Sequence, residues 1–334
     1  MIKTLTDAPA LRRRLLTVPS LFGIAVSLTA LAPVWIVGAV VADVALLRRR
    51  LPTLRLMAFA WCWAWFEVAG VTAAGWLWVT GRRNDHGRHY ALQAWWVRRL
   101  IGALRATTGV EIGEIEGSAL APGPVVLLSR HASLADSVVS AWVAISMAHL
   151  NPHFVLKREL LVDPCLDIVG NRLPNHFLDR QATDSSTELD ALRRMTADLH
   201  ADGVAIIFPE GTRATPAKRR RALAKIAERD PARAERLAPL EHLMPPRPAG
   251  SAALLAGSPE ADVCLAWHVG FDGLDNFAGI LRHLGRRPRP IEFHVERISR
   301  DEVPEGDAFT DWLDEQWLRL DKHIHAVLDT EGAS

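Results

Sequence analysis

Of the 13 histidines in this chain, His131 alone is followed five positions later by an aspartate. His131 and Asp136 lie in the stretch Ser129-Arg130-His131-Ala132-Ser133-Leu134-Ala135-Asp136-Ser137. A carboxylate that accepts a hydrogen bond from one imidazole nitrogen fixes the tautomer and leaves the other nitrogen free as a base. With such a base, an alcohol can be deprotonated and attack an activated acyl group directly. No Ser or Cys nucleophile is then required. A His–Asp pair also occurs for structural reasons alone, so its surroundings must decide.

The surroundings are a strand and a helix. Pro124 to Leu128 is a short apolar run that reads as a buried strand, and Val138 to Leu150 is apolar and long enough for a helix. His131 therefore falls at a strand end and Asp136 near the first turn of the helix, with Ser133 as the expected N-cap. A second buried strand, Gly203 to Ile207, runs into Phe208-Pro209-Glu210-Gly211-Thr212-Arg213. Arg213 is suited to phosphate, because a guanidinium meets two phosphate oxygens at once.

The His-x-x-x-x-Asp motif followed by Phe-Pro-Glu-Gly-Thr-Arg resembles the glycerolipid acyltransferases, specifically the 1-acyl-sn-glycerol-3-phosphate (lysophosphatidate) acyltransferase family. Lys157-Arg158-Glu159-Leu160 and Phe177-Leu178-Asp179-Arg180 are similar to segments of that family's acceptor site. Leu243 to Gly250, containing Arg247, resembles a Pro-Arg-x-x-Gly segment of the membrane-bound branch that includes lysocardiolipin-type enzymes. That branch also carries a longer insert after its Phe-Pro-Glu-Gly-Thr. The resemblance runs in motif order over roughly residues 110 to 269. It implies an α/β fold, a mixed central sheet with flanking helices, preceded by a two-helix membrane anchor.

The resemblance also implies acyl transfer from acyl-CoA or acyl-ACP to a lysophospholipid hydroxyl. Lysophosphatidate is the first expected acceptor; lysophosphatidylglycerol or lysocardiolipin is the alternative. His131 is the expected base and Asp136 its orienter. Lys157, Arg180, Glu210, Gly211, Thr212, Arg213 and Arg247 are the expected substrate-binding residues. Direct transfer needs neither metal nor cofactor. Glu210 is expected either to hold its loop through backbone N–H groups or to contact the acceptor headgroup. Backbone amides near Ser133 are candidates for the oxyanion site. The family commonly has Asn where this chain has Arg130. Arg130 is therefore expected to change the hydrogen bonding around His131 or to add a phosphate or coenzyme contact.

Composition narrows the context. A net charge of +1 excludes a general polyanion binder, and no nucleic-acid partner is expected. Cys62, Cys165 and Cys264 are too scattered for a disulfide framework or a zinc pattern and suit a reducing compartment. No Gly-rich phosphate loop or metal-ligand cluster is apparent from spacing. Six of the 12 Trp fall from Trp35 to Trp78, where interfacial aromatics belong.

Residues 1–85 read as a membrane anchor and 86–334 as the acyltransferase domain, with a basic insertion at 217–242 that forms helices broken at Pro231. Leu21 to Ala42 carries no charge, and as a helix it would be about 33 Å long, enough for a bilayer core. Leu56 to Thr80 is a second apolar segment, interrupted by Glu67. The two segments either both span or form a re-entrant hairpin, and arginines flank every turn, so charge does not choose. In both arrangements the N-terminus and the catalytic domain share one face, expected to be the cytoplasmic face of the inner membrane. Tyr90 to Leu104 reads as an amphipathic helix, fit for lipid or for ordinary packing. Residues 290 to 298 alternate as an edge strand.

Overall fold

The computed structural model describes residues 5–332, apart from 134, 180–184, 272–273, 275–276 and 287–288. The chain divides into two compact units. One comprises Met1–Glu111, His153–Thr183 and Phe277–Pro288; the other comprises Ile112–Pro152, Asp184–Asn276 and Arg289–Ser334. The expected boundary near residue 85 falls inside the first unit. In chain order the strands are β1 (Ile112–Ile115), β2 (Val125–Ser129), β3 (Asn151–Lys157), β4 (His176–Leu178), β5 (Gly203–Ile207), β6 (Asp262–Val269) and β7 (Ile291–Ile298).

The first unit is mainly helical, with α1 (Ala10–Ala30), α2 (Ala32–Ala45), α3 (Pro52–Val79) and α4 (His86–Thr108). The sequence leads one to expect a single straight helix over Leu21 to Ala42. Instead α1 and α2 meet at 69° around Leu31. Pro33 near the start of α2 has no N–H to continue the α1 ladder. The indole Nε1 of Trp35 takes up the Leu28 carbonyl at 2.7 Å. α3 is long and apolar enough to cross a membrane, and the bent α1–α2 pair passes the same test only if counted as one broken span.

Several charged groups of this unit are tied inside it. Arg13 meets Asp167 through two nitrogens, at 2.6 and 3.0 Å, and Arg14 reaches the same carboxylate at 3.1 Å. Two of the arginines that flank the first apolar segment are therefore internal ion-pair partners. Asp43 closes the α2–α3 hairpin by accepting the N–H groups of Thr53 and Leu54 at 2.9 and 3.2 Å. α4 packs against α3 and buries Val97, Leu100 and Ile101, which is the ordinary-packing outcome for that helix. β3 and β4 pair in parallel, with Val155 opposite His176 and Lys157 opposite Leu178.

The second unit holds a mixed sheet in the order β1-β7-β6-β2-β5, with helices around it. β6, β2 and β5 are parallel and β7 is antiparallel to β6. β2 and β5 are buried at every position, as strands covered on both faces must be. β7 is not the edge strand its alternation suggests, because β1 pairs with its free side. Alternation records one poorly covered face, not a missing neighbour.

The basic insertion forms helices Pro216–Ala227 and Pro231–Leu237. Its second helix is fastened to the C-terminal helix Asp307–Gly332. Arg233 reaches Asp314 through two nitrogens at 2.7 and 2.8 Å, and Arg236 reaches Asp311 at 2.6 Å.

Candidate active site

Three parallel strands converge on the site from one direction, as ligand sites of such sheets require. The register places Leu128 beside Ile207 and Ser129 beside Ala266. The residues that follow β2 and β5 therefore meet beyond the sheet's C-terminal edge, and His268 of β6 comes alongside His131.

His131 Nδ1 lies 2.9 Å from Asp136 Oδ2. The same oxygen accepts the backbone N–H groups of Ala132 and Ser133 at 2.7 and 2.8 Å. Oδ1 accepts the Ser133 hydroxyl in a short contact and lies 3.2 Å from His268 Nε2. A carboxylate so surrounded by donors can only accept, so His131 Nδ1 carries the hydrogen and Nε2 carries the lone pair. Burial pushes Asp136 up, but the facing His268 and the hydrogen bond from His131 outweigh it, and the carboxyl is held well below the usual carboxylate range. The His131 side chain is 14% exposed, and among the described residues its Nε2 has no protein partner.

Two expectations for this turn are corrected here. Ser133 is not the helix N-cap: the helix starts at Asp136 with Ala135 before it, and the Ser133 hydroxyl locks Asp136 instead. The amides of Ala132 and Ser133 are not open to an oxyanion, because Asp136 already takes both.

Of its two expected roles, Glu210 has the one that holds backbone N–H groups, and it is not placed as an acceptor-binding residue. It is 1% exposed, its Oε1 accepts the His131 N–H at 2.6 Å and its Oε2 accepts the Met244 N–H at 2.9 Å. Both oxygens are thus turned inward, joining three chain segments. Burial pushes Glu210 up to about 8, against the two backbone N–H groups and Arg130, which lower it. The Ala214 N–H reaches the His131 carbonyl at 3.0 Å, so the loop after β5 is tied to His131 at both ends. Phe208 lies against the imidazole, with ring centroids 4.9 Å apart.

The cations of this loop are held differently. Gly211 has a φ of +68°, open to glycine at little cost, and a Cβ there would sit 3.4 Å from the Arg247 guanidinium. Arg247 is otherwise exposed, and its backbone N–H anchors to the Pro209 carbonyl at 2.9 Å. Arg213 is half-buried, and its Nη1 is a buried donor with no hydrogen-bond partner among the described residues. A buried, unpartnered guanidinium nitrogen on the loop that is tied to His131 invites an anionic ligand. Thr212 is half-buried.

Arg130 is 2% exposed and donates to the His268 carbonyl in a short contact, so it lies inside the protein and not on a phosphate. Lys157 ends β3 in the first unit, and Arg180 lies outside the described residues. The structure adds His268, which is fully buried. Only the β2–β6 register could have revealed it.

The chain is similar to acyltransferases in the following respects. The sequence model of the family described as Acyltransferase matches residues 113–254. "Lysocardiolipin acyltransferase 1" of Danio rerio is 23% identical over 270 residues, covering 76% of this chain and 63% of that protein, so the chain spans just under two thirds of that relative's length. The crystal structure of the 1-acyl-sn-glycerophosphate (LPA) acyltransferase PlsC from Thermotoga maritima aligns with a TM-score of 0.44 at 14% identity, covering 93% of this chain and 98% of that one.

Proposed function

We propose, for a chain that belongs to the glycerolipid acyltransferases through its domain at residues 113–254, that it acylates the free hydroxyl of 1-acyl-sn-glycerol-3-phosphate to give phosphatidate. The observation that carries this reading is the His131–Asp136 pair with Nε2 open, tied to a loop that holds the unpartnered Nη1 of Arg213. A lysophosphatidate brings a hydroxyl and a phosphate close together, and such a site meets both.

In the proposed reaction, Nε2 of His131 takes the hydroxyl proton as the oxygen attacks the thioester carbonyl carbon. The C–O bond forms, and the carbonyl electrons move onto oxygen. They return as the C–S bond breaks, and the thiolate leaves with the proton that His131 held. Asp136 stabilises the imidazolium and keeps the ring oriented throughout. Glu210 fixes the His131 backbone, while Arg213 and Arg247 balance the phosphate charge. The donor is acyl-CoA or acyl-ACP.

Acylation of lysophosphatidylglycerol or lysocardiolipin is a second reading. It draws support from the Arg247 segment, the inserted helices and the similarity to a protein named for lysocardiolipin. The first unit is read as a membrane anchor, in the inner membrane with the catalytic domain toward the cytoplasm; its exposed apolar surface supports the contact with lipid and not the side. Nearly all the large exposed hydrophobic residues fall between Leu11 and Val79.

A panel assay tests the proposal: purified full-length protein, three lysophospholipids, and both acyl-CoA and acyl-ACP. Lysophosphatidate is expected to give the highest kcat/KM. A higher value for lysocardiolipin or lysophosphatidylglycerol would select the second reading. No transfer to any acceptor would reject both.

A further inference from the structure

His325 stands on the C-terminal helix with both ring nitrogens engaged. Its Nε2 lies 3.0 Å from Asp329 Oδ2, one turn further along. Its Nδ1 lies 3.4 Å from Glu241 Oε2 and 3.3 Å from His242 Nε2. Glu241 and His242 close the basic insertion, and His242 and His325 are 83 positions apart. No spacing motif could announce this cluster, so the sequence reading of no metal-ligand group is amended here. One ligand atom from each of Glu241, His242 and His325 lies within 4.8 Å of the others.

We propose that Glu241, His242 and His325 bind a divalent transition-metal ion of the Zn2+ type. Two ligand atoms about 2.05 Å from a tetrahedral ion lie roughly 3.3 Å apart. The two separations from His325 Nδ1, 3.3 and 3.4 Å, match that edge. Two imidazoles and one carboxylate select Zn2+ over Mg2+ or Ca2+, which want oxygen. Water completes the fourth position, as in other three-ligand zinc sites.

Two further features support a built site. Asp329 Oδ2 stands 3.0 Å behind His325 Nε2, while His325 Nδ1 faces a carboxylate and another imidazole. A carboxylate behind a ligating histidine is the usual companion of a bound metal ion. The ligand loop is also fixed in advance. Asp321 accepts the N–H groups of Glu241, His242 and Leu243 at 2.8, 2.8 and 2.7 Å. Asp321, His325 and Asp329 succeed one another at four-residue steps, on one face of the helix. The ion clasps the end of the insertion to that helix. Met244, one residue past this loop, is the residue that holds Glu210.

The test uses full-length, untagged protein in detergent and metal-free buffer at about pH 7.5, where imidazole competes well against protons for metal. Calorimetry with ZnCl2 is expected to show one micromolar or tighter site that the His242→Ala/His325→Ala double variant lacks. Asp329→Asn should weaken it roughly 10- to 100-fold. Saturating Zn2+ should raise the thermal midpoint of the wild type alone, and Co2+ should give the visible bands of a four-coordinate ion. Glu241→Gln is the companion variant, and acyl transfer in metal-free buffer reports that each variant is folded. Identical isotherms for wild type and double variant would overturn the site. So would a wild type that binds no Zn2+ while NMR shows His325 doubly protonated, because a proton would then bridge the carboxylates instead.

Discussion

The two compact units use the same residue types turned in opposite directions. In the sheet unit, Val125 to Leu128 and Val204 to Ile207 are buried, and charged groups gather beyond the strand ends. In the helical unit, Ile24, Val34, Val37, Val41, Val44 and Trp76 are exposed, whereas Arg13, Asp43 and Asp167 are no more than 5% exposed and are paired. Water selects the first distribution. A hydrocarbon solvent selects the second, because apolar surface gains nothing there by hiding and polar groups must find partners inside. On the proposal that the helical unit meets lipid, one kind of substitution should have two consequences in the two units.

The largest expected effect breaks the comparison directly. Leu127 is fully buried in β2, and Leu127→Arg would strand a charge in the core. The cost exceeds about 5 kcal/mol, so no folded sheet unit is expected. Val37 is 61% exposed, and Val37→Arg should leave the purified protein folded in detergent. Its penalty appears on insertion, about 2.5–3.5 kcal/mol at a bilayer centre. Circular dichroism and liposome flotation read the two outcomes. Flotation of Val37→Arg equal to wild type would show that this face does not meet lipid.

A second test acts on the sheet unit alone. His131→Ala should lower kcat for acyl transfer by roughly a hundred- to ten-thousand-fold, and flotation should be unchanged. Asp136→Asn should be severely impaired as well, because the imidazole loses the acceptor that sets its tautomer. Activity within about threefold of wild type in a folded His131→Ala would end the general-base mechanism.

What the sequence discloses follows the same contrast. β2 and β5 are legible because strands covered on both faces are unbroken apolar runs, and His131 is legible because it stands where such a run stops. The two insertion helices are legible from Pro231. The bend at Leu31 is not, because hydropathy records that a segment is apolar and says little of its direction. Glu210 reads either as a loop-holding acid or as a headgroup ligand; the choice depends on where the amides of His131 and Met244 lie, which only the fold decides. His268 depends on strand register, and the ion pair of Arg13 with Asp167 depends on residues 154 positions apart.

Smaller in expected size is the loss at Arg213, which asks whether the open charge of the sheet unit is reserved for a ligand. Arg213→Ala should cost acyl transfer about 2–5 kcal/mol if the guanidinium meets a desolvated phosphate. Arg213→Lys keeps the charge, loses the two-pronged geometry and should fall between. Hydrolysis of the thioester by water needs no phosphate and should change far less. Equal losses in the two reactions would mean that Arg213 supports the loop or the donor, and its phosphate role should then be abandoned.

The smallest effect sharpens the other side of the comparison. Thr29 in α1 accepts the indole hydrogens of Trp61 and Trp65 at 3.0 and 2.9 Å, and its own hydroxyl donates to the Ala25 carbonyl at 2.8 Å. Thr29→Val keeps the shape and removes the acceptor from both indoles. Each Trp is 37% exposed, so the outcome depends on what lies outside. In water, both indoles would donate to solvent instead, and the change should stay within about 0.5 kcal/mol, as for an ordinary surface site. In hydrocarbon no such partner exists, and the loss should be about 0.6 kcal/mol, rising to at most about 1.7. Equilibrium unfolding in bicelles, run as a cycle with Trp61→Phe, measures the coupling. A coupling of zero would place these indoles in the wet headgroup layer, and the dry solvent inferred for this unit would then begin deeper along α1 and α3 than Thr29 and Trp61.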